Sequence, residues 1–160
     1  MLSIVGIAVF VLPVALGLVH TGLAGSLWAA DPFVGTCKLN VAKSRSPLPL
    51  PKSQVTKVEA QGEGYKSTSD TVETDGRDTH TEWVGKLDGK DYPVKGGQTD
   101  FTIAARQIDA NTLEEIEKIK GKEVLRLKVT VSEDGKTITA TGKGTDAMGK
   151  EFTMLLVCDK

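Results

Sequence analysis

The chain has 160 residues, with 20 lysines and arginines against 21 aspartates and glutamates, a net charge of −1. That length suits one ordinary domain, and the balanced charge gives no electrostatic reason to expect nucleic acid as a partner. Two cysteines are too few for a disulfide scaffold, and their spacing forms no zinc motif.

The 39% hydrophobic content is unevenly placed. Residues 1–30 contain no Lys, Arg, Asp or Glu, so every charged residue lies in 31–160. Met1 to Val19 is almost wholly apolar, interrupted by Pro13 and Gly17, and small residues follow, among them Ala24, Gly25, Ser26, Ala29 and Ala30. An apolar helix followed by small residues reads as a secretory signal peptide. The alternative is an uncleaved anchor, because a run of this length just spans a bilayer. Either reading exports residues 31–160, to the periplasm or beyond, with membrane contact only through residues 1–19 if they are retained. No cysteine directly follows the apolar run, the first being Cys37, which argues against lipoprotein processing.

Residues 31–160 read as one all-β domain. Turn signals recur at short intervals, including Asp75-Gly76, Asp88-Gly89, Gly96-Gly97, Asp134-Gly135 and the stretch from Gly142 to Gly149. Asp-Gly suits type I′ hairpin turns. The segments between these signals are rich in Thr, Val and Ile, which favours a sandwich or barrel over βαβ units. The spacing predicts strands at 33–40, 54–60, 65–73, 78–87, 91–95, 100–108, 112–119, 122–132, 136–142 and 150–158.

Alternation gives these strands faces. Leu125, Leu127, Val129 and Val131 share one side, opposite Arg126, Lys128 and Thr130. Phe33, Gly35, Cys37, Leu39 and Val41 share another, as do Phe101, Ile103 and Ala105. The segment from Glu151 to Cys158 is apolar on both sides, as suits a strand that closes a barrel.

Two segments depart from the pattern. Thr112 to Gly121 also carries a helix signature: Thr112 and Glu115 fit a capping box, Leu113, Ile116 and Ile119 share a helical side, and Gly121 suits a C-cap. Strand is preferred there on the surrounding hairpin rhythm. Residues 41–52 hold Pro47, Pro49 and Pro51, which exclude a central strand and predict an extended connection. A polyproline ligand for another protein is the other reading of that run.

The opening Phe33-Val-Gly-Thr-Cys-Lys-Leu-Asn40 resembles the first strand of calycins, the lipocalins and fatty-acid-binding proteins, which reads F-x-G-T-W-K-L. The remainder is similar to secreted bacterial lipocalin-like proteins of unassigned function, in Asp88-Gly-Lys-Asp-Tyr-Pro93, Ile108-Asp-Ala-Asn-Thr112, Ser132-Glu-Asp-Gly-Lys-Thr137 and Lys143-Gly-Thr-Asp-Ala147. The resemblance implies an antiparallel meander closed into a calycin-like barrel of eight to ten strands, with a small-molecule cavity. Cys37 stands where the family usually has Trp, which leaves the usual plug of the barrel in doubt. The proline run replaces the helical lid of fatty-acid-binding proteins.

In such a barrel the first and last strands are neighbours, which brings Cys37 near Cys158. In an oxidising compartment the pair would form a disulfide at the barrel seam; two buried free thiols are the alternative. Candidate cavity walls are Phe33, Leu39, Tyr65, Trp83, Tyr92, Phe101 and Phe152. Trp83 has the opposite parity to His80 and so should point inward if His80 points outward.

Asp78, His80 and Glu82 share a strand face, a weak metal-like or acid–base motif that reads better as solvated surface. Arg106 and Arg126 are candidates for a ligand carboxylate, but their parity points them outward. Glu114, Glu115 and Glu117, balanced by Lys118, Lys120 and Lys122, read as a solvated face. No nucleophile elbow, phosphate loop or dinucleotide fingerprint is present, and no metal or cofactor is called for. The expectation is a monomeric, non-enzymatic binder of a small apolar or amphipathic molecule, with a filled structural barrel as the alternative.

Overall fold

The computed structural model describes residues 31–160, so the apolar helix expected within 1–30 lies outside the described residues. Ten strands follow in chain order: β1 (Gly35–Leu39), β2 (Ser53–Gln61), β3 (Gly64–Val72), β4 (Asp78–Gly85), β5 (Asp88–Lys95), β6 (Phe101–Asp109), β7 (Thr112–Ile119), β8 (Lys122–Val131), β9 (Thr137–Thr145) and β10 (Glu151–Asp159). Every strand pairs antiparallel with its chain neighbour, and β10 returns to β1 to close the ring. Closure removes the unpaired edges that an open sheet would expose.

Residues 112–119 are strand. β7 is laddered to β6 from Phe101↔Ile119 to Asp109↔Thr112, and to β8 from Thr112↔Thr130 to Ile119↔Lys122. A helix here would satisfy its own backbone but leave β6 and β8 with unpaired edges, and that cost outweighs the local capping box. Gly121 is therefore not a C-cap. Lys120 (φ 52°) and Gly121 (φ 74°) form the two positive-φ centres of a tight hairpin turn, as type I′ requires.

The Asp-Gly pairs turn differently from expectation. Their glycines have positive φ but their aspartates do not. The aspartate instead accepts a backbone N–H two residues on: Arg77 to Asp75 at 3.0 Å, Lys90 to Asp88 at 3.1 Å and Lys136 to Asp134 at 3.1 Å. These side-chain turns explain why aspartate recurs at the hairpin ends.

The ring has two thin joints. β4 and β5 share only Glu82↔Lys95 and Trp83↔Val94, and β1 and β10 share only Lys38↔Asp159 and Leu39↔Cys158. At the first, the Trp83 indole N–H reaches past β5 to the Ile103 carbonyl of β6 at 3.2 Å. At the second, Cys37 and Cys158 are disulfide-bonded, with Cα atoms 5.6 Å apart. The chain after β1 continues along β10: Asn40 donates to the Asp159 carboxylate at 2.6 Å, and Arg45 pairs with Leu155. Buried Ser44 donates to the Asn40 carbonyl at 2.8 Å and accepts the Val157 N–H at 3.0 Å. The proline run that follows is an exposed or half-exposed connection without strand or helix.

Candidate functional site: the barrel cavity

Inward-facing residues of all the strands surround a cavity of about 360 Å³. A cluster of Phe33, Leu113 and Val131, backed by Leu87, Val129 and Ile138, fills one end. Phe33 thus belongs to the packed end of the barrel. It is held by its neighbour: the Asp31 carboxylate accepts the Phe33 N–H at 2.9 Å and the Tyr65 hydroxyl on its other oxygen. That hydrogen bond, with burial and the charge of Asp31, pushes the Tyr65 hydroxyl up to about 12. The cavity runs from this cluster toward the opposite rim, where Gln54 near the start of β2 and Phe101 at the start of β6 line it.

Most of the wall is apolar: Leu39, Val94, Ile103, Leu127, Ala140 and Leu156 join the aromatic residues. Two polar features interrupt it. Gln54, Thr56, Ser67, Ser69 and Thr81 form a hydroxyl-rich wall on β2, β3 and β4, where Thr56 and Ser69 hydrogen-bond each other at 2.8 Å. Glu115 and Glu117 face the interior from β7. β2 and β7 lie five strands apart either way round the ring, so the carboxylates face the hydroxyl wall across the barrel.

The two glutamates correct the solvated-face reading of residues 114–117. On a strand, 113, 115, 117 and 119 share one side. Leu113 lies in the end cluster, and the ladder sets Glu115 between Ala105 and Leu127, and Glu117 between Ile103 and Leu125. Both residues are therefore half-buried in the barrel wall, where they line the cavity. Burial raises Glu115 from 4.5 to about 7; burial and the charge of Glu115 raise Glu117 to about 7. The register shifts directly after Glu117, with Val124 of β8 as the extra residue, and such irregularities re-aim side chains beside sites. Glu114, of opposite parity, does face outward, accepting Arg106 at 3.2 Å and Arg126 at 3.1 Å.

The other expected site residues divide. Phe33, Leu39, Tyr65, Trp83 and Phe101 line the cavity. Tyr92 and Phe152 do not. Tyr92 packs edge-on against Trp83 at 6.1 Å, over Gly85, and its hydroxyl donates to Asp88 at 3.1 Å. Phe152 covers Gly144, where an added Cβ would lie 2.6 Å from its ring. His80 is exposed and pairs with Asp70 across the β3–β4 ladder at 2.6 Å, while Glu82 engages Lys66 and Lys95. Among the described residues, no group of three His, Cys, Asp or Glu side chains is placed to hold a metal ion.

Comparison with protein-family models, with curated proteins and with solved structures finds no match.

Proposed function

We propose that this chain is an exported lipocalin-like barrel that binds a small apolar or amphipathic molecule without transforming it. The observation that carries the reading is the interior cavity of about 360 Å³, within the range of small-molecule pockets. A barrel serving only as structure would fill this space with side chains, yet Leu39, Ile103, Leu127 and Leu156 line it rather than close it. The non-catalytic reading rests on chemistry: among the described residues, no histidine, lysine or arginine lines the cavity, and both cysteines are bonded to each other. Export is supported by the charge-free first thirty residues together with the disulfide, which persists in oxidising compartments. A ring with no open strand edge suits a monomer.

Native mass spectrometry of the protein purified from its own host tests the proposal. A retained small molecule, released on denaturation, is the expected result. Reproducibly empty protein that also gives no fluorescence response with a lipophilic dye would overturn it.

A further inference from the structure

Among the described residues, the carboxylates of the barrel interior lie on one side, on β7. Glu115 and Glu117 sit two residues apart on one face of β7, about 7 Å along the strand, within reach of a single small cation. Among the described residues neither carboxylate forms a hydrogen bond or ion pair. The neighbours facing them from β6 are Ile103 and Ala105, and from β8 Leu125 and Leu127, none of which ionises. Among the described residues elsewhere on the cavity wall, only Tyr65 can titrate, far above neutrality, because Cys37 and Cys158 are bonded. An apolar binder needs no acid on its cavity wall, and an unpaired carboxylate held partly out of solvent is costly. An anionic ligand would meet repulsion from both groups and find no cation to answer it. Among the described residues, no third His, Cys, Asp or Glu joins the pair to hold a metal ion.

We propose that the cavity takes a small amine, a molecule with one protonated nitrogen on an apolar body, its nitrogen held by Glu115 and Glu117. The apolar body lies against Trp83, Phe101, Ile103 and Leu127. The inference rests on the cavity-binding reading above and specifies its ligand. Because burial holds both carboxyls near neutrality, the amine binds more tightly as they ionise, and its binding expels protons.

Calorimetry with three probes of equal chain length tests this: octylammonium, octan-1-ol and octanoate, at pH 8 and pH 5.5. Octylammonium, which stays protonated throughout, should bind at least about tenfold more tightly than octanol at pH 8, with octanoate weakest. Its affinity should fall about tenfold or more at pH 5.5, while that of octanol holds. The variant Glu115→Gln/Glu117→Gln should lose the preference for octylammonium and retain octanol. Octanol or octanoate binding as tightly as octylammonium at pH 8 would overturn the amine assignment and leave the binding proposal standing. Binding of none of the three would overturn the assignment, and with empty native protein it would overturn the binding proposal as well. Should the double variant fail to fold, the head-group comparison and the pH dependence of the parent protein decide.

Discussion

At the scale of single residues, Glu115 and Glu117 show how strand parity overrides composition. The run Glu114-Glu115-Ile116-Glu117 looks like surface when counted as charge, and its local pattern also fits a helix. Neither view assigns an inside. The segment is expected as a strand, but its apolar residues fall on both sides, Leu113 and Ile119 on one and Ile116 on the other, so parity alone does not choose the inward face; the ladders to β6 and β8 do. The consequence is measurable without any ligand. Both carboxyls are raised from 4.5 to about 7 in the folded protein. Between those values the folded state binds more protons than the unfolded chain, so stability falls as pH rises through this range. The lowered carboxylates, Glu82, Asp88, Glu123, Asp134 and Asp159, act in the opposite sense but below their ordinary values, outside this window. Thermal unfolding should therefore occur about 5 °C or more higher at pH 5 than at pH 8. The gap should narrow sharply in Glu115→Gln/Glu117→Gln, chiefly through a higher midpoint at pH 8.

At the scale of elements, the ring is only as strong as its joints. Most neighbouring strands share long ladders, as β9 and β10 do from Glu151↔Thr145 to Asp159↔Thr137. β1 is five residues long and meets β10 at two positions, so its attachment needs support beyond backbone pairing. The disulfide supplies it, closing a loop with a sequence separation of 121 residues. In the chain-entropy account such a closure contributes about 5 kcal/mol by restricting the unfolded chain. Reduction, or Cys37→Ser with Cys158→Ser, should lower the urea midpoint by an amount equivalent to about 3–5 kcal/mol. Alkylation should find no reactive thiol in the folded, unreduced protein. The pairing was legible in outline, since first and last strands of a closed meander must meet. The supporting contacts of Asn40, Ser44 and Arg45 were not, because they lie in a connection without periodicity, where no sequence pattern reports what the backbone passes.

At the scale of the whole molecule, the cavity follows from a mismatch between circumference and filling. Ten strands enclose a wide interior, while the inward positions include small residues such as Ala105, Ala140, Ser67 and Ser69. Large side chains gather at one end, where Phe33, Leu113 and Val131 pack, and leave the middle unfilled. A larger side chain at a small inward position should therefore enter existing space rather than strain a packed core. Ala140→Phe is expected to abolish lipophilic-dye fluorescence while changing unfolding stability by no more than about 2 kcal/mol. Retained dye response with native stability would place dye binding outside the barrel.

The all-β class, ten strand segments to within a few residues, and the opposite faces of Trp83 and His80 were legible in the sequence, as were the outward faces of Arg106 and Arg126; whether the barrel takes eight or ten strands was not. These follow from hairpin punctuation and period-two alternation, which are local properties of a strand. Strand pairing in the folded barrel is what sets Tyr92 and Phe152 over Gly85 and Gly144 rather than on the cavity wall, and turns Glu115 and Glu117 to the interior. The first depends on close approaches between strands and the second on the ladders to β6 and β8. Register and closure are properties of the paired sheet, so no single segment carries them.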